Sequence, residues 1–345
     1  MRIVVTSVQV PFIRGGAEIM ADQLTQALNR LGHTAELVTM PFRFAPFGAV
    51  RQSMNSWAVE DFSRFDCGAI DRTICLKFPS FYLNHPNKVV WLMHQHRSVY
   101  ELFNTRYGEC DQTPGAGEFR EEIVQRDTKA LEKARAVFTI SERVSERMKA
   151  YNGVSSLPIH QPPANAELFY CGDQLDYIFF PSRLETLKRQ ELLIRALARC
   201  RVPVAAIIAG DGGARTDLQQ LIHELKVEDR VRLIGRIDDE AMRIWYANAL
   251  GIFFGPYDED YGFITLEAML SSKPVITCTD SGGPLDFVLD RETGRVVAPD
   301  PDSVADAIEY LYEDKQRARD LGVAGLNRYR SLDISWDHVV EKLLA

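Results

Sequence analysis

The chain has 345 residues, 46% hydrophobic and 26% charged, a balance suited to a soluble globular protein of about two domains. Forty Lys and Arg against 48 Asp and Glu leave a formal net charge of −8, which argues against a dedicated nucleic-acid binder, because such proteins neutralise phosphates with a basic excess. No run reaches the roughly 18 to 20 apolar residues that span a bilayer.

The elements follow in chain order. Short β-branched runs alternate with helices of 3.6-residue period, the pattern of an α/β fold with parallel sheets. Residues 3–8 read as a first strand and not as a signal peptide. Residues 17–31 form an amphipathic helix, with strands at 35–39, 88–93 and 136–140. The stretch 40–65 is aromatic-rich and irregular, and 105–118 reads as a surface loop from its Gly, Pro and polar residues. Residues 152–173 hold three prolines and no period, the composition of an interdomain linker. The alternation then restarts with strands at 177–180, 204–209, 231–234, 251–254 and 274–277. Helices at 189–199, 215–225, 239–248 and 263–270 separate them, and helical segments at 302–313, 315–328 and 336–344 close the chain. Two Rossmann-like domains facing each other across a cleft is the economical architecture. The first is expected over 1–165 with 331–345 crossing back, and the second over 166–330. Cys67, Cys75, Cys110, Cys171, Cys200 and Cys278 show no CxxC spacing, so neither a zinc site nor a disulfide framework is expected, and the compartment is a reduced, cytoplasmic one.

Four sequence features carry chemistry. Gly15 and Gly16 follow the first strand, where bare backbone and a helix N-terminus can approach a ligand. Arg183 and Lys188 follow the first strand of the second half; a guanidinium fork and an ammonium suit a diphosphate. The most specific feature is EDYGFITLE, in which Glu259 and Glu267 are separated by seven residues. Gly262 makes the turn, and the amides of Phe263 and Ile264 open a helix whose dipole favours phosphate. Two carboxylates so placed can accept hydrogen bonds from sugar hydroxyls. Gly282, Gly283 and Pro284 supply another bare backbone segment, and Gly235 and Arg236 end a strand where a base could be cupped.

Three other patterns are weaker. Asp258-Glu259-Asp260 matches a D-x-D metal site, but Arg183 and Lys188 already supply the charge a diphosphate needs, so no metal is expected. GDGGA at 210–214 begins like a dinucleotide fingerprint and then places Arg215 where the third Gly belongs. His94 and His96 alternate at a strand end without a neighbouring carboxylate, so His94 reads as a polar cleft residue, not a metal ligand. His33 serves a turn. Trp57 and the aromatics around it are either core or an acceptor platform.

Taken together, RGGAE after the first strand, SRLETLK after the linker, EDYGFITLE and SGGP resemble the family 4 retaining glycosyltransferases over nearly the whole chain. That resemblance implies the GT-B fold and transfer of a hexose from a GDP- or UDP-sugar to a glycan, glycolipid or small-molecule acceptor, with no cofactor. It further implies Gly15 and Gly16 against diphosphate and acceptor, and Arg183 and Lys188 on the leaving diphosphate. Glu259 would hold sugar hydroxyls, Glu267 the ribose, Phe263 and Ile264 amides the phosphates, and His94 the sugar. Thr186-Leu187 stands where Pro-Glu is frequent, and Asp286 where Glu often follows GGP. Arg43, Arg51 and Arg64 among aromatics suggest peripheral contact with the inner face of a membrane. The alternatives are a non-catalytic nucleotide-sugar-binding protein and a GT-B epimerase.

Overall fold

The structure, a computed structural model, describes residues 1–13, 15–108 and 111–345. Arg14 of the RGGAE motif, and Glu109 and Cys110 of the expected loop, lie outside the described residues. The chain divides into two compact units, Met1–Gln161 with Ile334–Ala345, and Pro162–Asp333.

In the first unit the order is β1 (Arg2–Gln9), α1 (Gly16–Arg30), β2 (Thr34–Pro41), α2 (Phe47–Val59), a two-strand hairpin β3 (Arg64–Phe65) and β4 (Gly68–Ala69), β5 (Arg72–Cys75), β6 (Lys88–Leu92), α3 (Ala116–Glu132), β7 (Ala136–Thr139), α4 (Glu142–Asn152) and β8 (Leu157–Pro158). Six strands form one parallel sheet in the order β2-β1-β5-β6-β7-β8. Residues 3–8 of β1 are all buried, as expected where helices cover both faces of a parallel sheet. The C-terminal helix Trp336–Leu344 packs on this unit. Trp336 meets Trp91 edge-on at 6.2 Å, Asp337 pairs with Arg30, and Arg72 Nη1 donates to the Leu343 carbonyl at 2.8 Å.

Several stretches differ from expectation here. The irregular segment 40–65 contains α2, which buries Val50, Met54 and Trp57, spaced four and three apart on one helical face. Trp57 is therefore a core residue, stacked on Phe62 at 6.0 Å. The supposed loop at 105–118 gives way to α3 from Ala116. The supposed linker begins with β8, which pairs with β7 and adds the sixth strand. The short strand β5 lies at the middle of the sheet, although its four residues show no alternation to mark it.

The second unit runs β9 (Tyr177–Pro181), α5 (Gln190–Leu197), β10 (Ala205–Ala209), α6 (Arg215–Leu225), β11 (Val231–Gly235), α7 (Asp239–Asn248), β12 (Gly251–Phe253), α8 (Phe263–Leu270), β13 (Val275–Cys278), β14 (Gly294–Val297), α9 (Pro301–Glu313) and α10 (Lys315–Ser331). Its parallel sheet has the order β11-β10-β9-β12-β13-β14, the doubly wound arrangement. Successive residues of β9 point to opposite faces. Ile178 and Phe180 enter the core that includes Leu193, Leu197 and Ile308, while Tyr177 and Phe179 enter the core with Tyr246 and Ile252. Each buried phenylalanine contributes about 2 to 3 kcal/mol, so this strand anchors the sheet from both sides. Strand β14, whose four residues show no alternation, closes the edge beside β13.

Candidate active site of the second unit

In a doubly wound sheet the direction of strand addition reverses once, and the loops leaving the two strands at that point diverge and leave a crevice. In this sheet the reversal lies between β9 and β12. The loop after β9 carries Arg183 and Lys188; the loop after β12 carries Glu259 and Gly262.

These loops are tied by backbone before any side chain is considered. The Tyr257 amide donates to the Leu187 carbonyl at 2.8 Å. The Asp258 and Glu259 amides donate to the carbonyls of Asp280 and Ser281, and Gly283 donates to the Glu259 carbonyl at 2.8 Å. Gly282 adopts φ +72°, and a Cβ there would stand 2.5 Å from the Glu259 carbonyl oxygen. The SGGP glycines therefore let two backbones lie together, and the Gly283 amide is engaged within the protein. The same holds for GDGG. A Cβ on Gly210 would meet the Ser182 carbonyl at 1.9 Å, and one on Gly212 the Leu184 carbonyl at 2.4 Å.

On this frame Lys188 Nζ donates to Glu259 Oε2 at 2.6 Å, with both side chains largely buried. The ammonium also lies 5.7 Å from the centre of the Phe254 ring. Arg183, in contrast, is 69% exposed and pairs with Glu185 at 2.7 Å. The structure thus joins Lys188 to Glu259 and leaves Arg183 extended toward solvent on the same loop.

Sequence reading missed the residue that holds these loops. Arg189 sits at φ +56°, a left-handed conformation uncommon for arginine, with its side chain buried. Its Nε donates to the Gly255 carbonyl at 2.7 Å and Nη2 to the Pro256 carbonyl at 2.6 Å. The fork also binds both oxygens of Asp280, at 2.9 and 2.7 Å. One guanidinium thus ties together the loops after β9, β12 and β13. A Lys-Arg pair ahead of a helix looks like a solvated basic cap, so nothing local marked it.

Gly262 takes φ +87° as N-cap of α8, and a Cβ there would crowd Pro284 and Phe254 at 2.9 and 3.0 Å. The amides of Phe263 and Ile264 open the helix, where no intrahelical acceptor exists for them. Glu267 lies one turn inside and accepts from the buried Tyr246 hydroxyl of α7 at 2.6 Å. Burial raises the Glu267 pKa, and the Tyr246 bond opposes that rise. Tyr246 lies inside the helix expected at 239–248, and no motif in the sequence marks it as the partner of Glu267. Gly235 ends β11 at φ +74° and accepts at its carbonyl from the Gly210 amide. Arg236 is exposed, 3.7 Å from Asp211.

The remaining candidates belong to the first unit. The Gly15 amide donates to Glu18 Oε2 at 2.8 Å, so the helix's own carboxylate occupies the place foreseen for a phosphate. Gly16 begins α1. His94 Nδ1 lies 2.6 Å from the Gln95 carbonyl. His96 is buried among Phe42, Phe44 and Phe78, and desolvation, with the neighbouring His94, lowers its pKa to about 4. The two histidines therefore do not share one environment. Arg51 pairs with Glu122 at 2.7 Å and covers Phe119, while Phe44 is half exposed. Among the described residues no three His, Cys, Asp or Glu side chains converge as a metal would need, and no helix is long and apolar enough to cross a membrane.

Two units, each built on a six-stranded parallel sheet, are the architecture of the GT-B fold, and the crevice of the second unit carries Lys188, Glu259 and the N-terminus of α8. Residues 172–328, within the second unit, match the family model described as glycosyl transferases group 1. Among curated relatives, a D-inositol 3-phosphate glycosyltransferase of Corynebacterium diphtheriae is 28% identical over 233 residues, 60% of this chain and 54% of that one. A GDP-mannose-dependent α-(1-6)-phosphatidylinositol monomannoside mannosyltransferase of Mycolicibacterium smegmatis is 36% identical over 164 residues, 44% of this chain and 42% of that one. The chain spans about half the length of these relatives. Two solved structures share the GT-B fold across nearly the full chain. Sucrose-phosphate synthase from Thermosynechococcus elongatus has a TM-score of 0.79 at 20% identity, covering 99% of this chain and 97% of that one. Anabaena HepE in complex with UDP and glucose has a TM-score of 0.71 at 16% identity, covering 100% and 98%.

Proposed function

We propose that the chain is a retaining glycosyltransferase that moves a hexose from a GDP- or UDP-sugar to a hydroxyl of a glycan, lipid-linked or small-molecule acceptor without a metal. The observation that carries this is the Lys188–Glu259 pair at the switch point of the second sheet, beside the first amides of α8. An ammonium has three donors, and Glu259 takes one, so Lys188 can also hold a diphosphate oxygen while Glu259 accepts from sugar hydroxyls. Glu267, oriented by Tyr246, accepts from the ribose.

As the anomeric carbon–oxygen bond breaks, negative charge grows on the departing diphosphate. Lys188 and the Phe263 and Ile264 amides are fixed donors for that charge, the type of preorganisation worth several kcal/mol in a transition state, and Arg183 joins them from solvent when the diphosphate binds. The acceptor hydroxyl attacks from the face the diphosphate leaves and passes its proton to a diphosphate oxygen, which retains the configuration. His94 contributes a further polar group for the sugar.

A thermal-shift panel of GDP, UDP, ADP and dTDP with their sugars, run with and without chelator, tests this. One base is expected to stabilise by about 2.7 kcal/mol at 100 times its dissociation constant, equally in chelator. Silence from every nucleotide, or a shift abolished by chelator, would overturn the corresponding part.

A further inference from the structure

The first unit holds a groove of about 420 Å3 that the glycosyl-transfer chemistry has not used, a volume within the range of small-molecule sites. It lies at the carboxyl end of β2, against α2. One wall is apolar: Pro11 from the loop after β1, and Met40, Pro41 and Phe42 from the end of β2 and just beyond it. The Phe42 amide donates to the Gln9 carbonyl at 2.9 Å, which holds those two loops side by side. The facing wall is helical. Val50, Met54 and Trp57 fix α2 to the core, and the adjoining face, with Ala49, Gln52, Ser53 and Ser56 at positions i, i+3, i+4 and i+7, lines the groove.

Charge decides what such a groove takes. Arg43 lines it and is exposed; among the described residues nothing pairs with its guanidinium, and no carboxylate lines the groove. Of the other arginines near these aromatics, Arg51 is paired with Glu122 and Arg64 lies on the exposed hairpin of β3 and β4. Gln52 and Ser53 add an amide and a hydroxyl, while the Ser56 hydroxyl already donates to the Gln52 carbonyl at 3.0 Å. The polar side thus offers a guanidinium fork and two further donors without a competing anion, the set that holds a phosphate. The whole chain carries −8, so an anion seated here is held by these local donors and not by a general basic field. Phe12 and Ile13, which follow Pro11, are exposed and extend the apolar surface of that loop.

We propose that this groove binds a phosphate ester that carries an apolar chain, with the phosphate on Arg43, Gln52 and Ser53 and the chain along Met40, Pro41 and Phe42. Both halves are needed, because an exposed guanidinium alone holds an anion weakly in water. That such an ester is the acceptor, or carries it, rests on the transferase function proposed above; the binding itself does not.

The test is calorimetric titration of the full chain with hexyl phosphate, and with hexanol and inorganic phosphate as its two halves. Hexyl phosphate is expected to bind at least about tenfold more tightly than either half, since it alone engages both walls. Arg43→Met should reduce hexyl phosphate to the level of hexanol. Ala49→Phe, which fills the groove, should weaken hexyl phosphate and hexanol alike, and Arg64→Met should change nothing. Flotation with phosphatidylcholine vesicles, with and without phosphatidic acid, separates the sources of the ester. Binding that needs both phosphatidic acid and Arg43 assigns a lipid headgroup, whereas hexyl phosphate bound without any vesicle binding assigns a soluble ester. Hexyl phosphate held no better than inorganic phosphate by wild type would overturn the proposal whether or not any variant folds. So would full affinity in Arg43→Met, or an equal loss in Arg64→Met. Absence of any glycosyl transfer would fail the proposed function and leave this titration standing.

Discussion

Replacing Arg189 isolates the clamp on which the second unit's site rests. Its guanidinium makes four hydrogen bonds, two of them to the buried carbonyls of Gly255 and Pro256 and two to Asp280. Breaking a fully buried charge pair costs about 3 to 5 kcal/mol. Asp280 keeps 35% of its side chain exposed, so water recovers part of that loss. The two orphaned carbonyls add about 1 to 3 kcal/mol each before relaxation. Taking the lower end of each contribution, Arg189→Ala should cost at least about 3 to 4 kcal/mol. The backbone there is left-handed at φ +56°, a conformation that costs a non-glycine residue about 1 to 2 kcal/mol. Arg189→Gly removes the same bonds and that strain together, and should cost about 1 kcal/mol less than the alanine variant. Urea unfolding of the full chain measures both, and hydrogen exchange at the Tyr257, Glu259 and Gly283 amides reports the loops locally. Losses below about 1 kcal/mol, or an alanine variant as stable as the glycine one, would refute the clamp.

Other outcomes follow from the same geometry. Lys188→Met should lower turnover of the folded protein about 100-fold or more, alongside a loss of stability from leaving the largely buried Glu259 unpaired; near-normal turnover in a product assay would remove it from the diphosphate. Arg183→Ala should cost less than Lys188→Met, since Arg183 lies extended in solvent until a ligand engages it. Glu267→Ala should weaken nucleotide binding in calorimetry about tenfold, and Tyr246→Phe by less, since it removes only the orienting bond. Burial raises the Asp127 carboxyl from 3.8 to about 7 against the pull of the Tyr82 and Tyr100 hydroxyls. The native state then holds a proton that the unfolded chain has released. That contribution to stability is complete below about pH 4 and is lost as pH rises through about 7, at up to about 1.4 kcal/mol per pH unit. Asp127→Asn should flatten that part of the stability profile, and an unaltered slope in urea titrations would contradict it.

The alternation of strands and helices in the second unit was legible because it is local. Apolar period and caps lie within a few residues of one another, and residues 215–225, 239–248 and 263–270 are helices with the bounds expected. The motifs at strand ends were legible for the same reason, since a parallel strand delivers whatever follows it to the carboxyl edge of the sheet. Strands β5 and β14 were not legible, because four residues of a fully covered strand carry no alternation and gain their pairing only from distant neighbours. Helix α2 hid behind aromatic composition, although Val50, Met54 and Trp57 held its period.

At the site, residue types were set by the sequence and partners by the fold. Lys188 and Glu259 stand 71 positions apart and meet because strand order reverses between β9 and β12. Glu18 closing on the Gly15 amide, Tyr246 reaching Glu267 and Arg189 reaching Asp280 depend on side-chain directions that the local pattern does not contain. Composition and period determine which segments become strands and helices, because those choices are settled by which face of each segment leaves water. Which polar groups then find each other is decided only once the segments pack, because a hydrogen bond needs its two atoms within about 3 Å, and only the tertiary structure sets that distance.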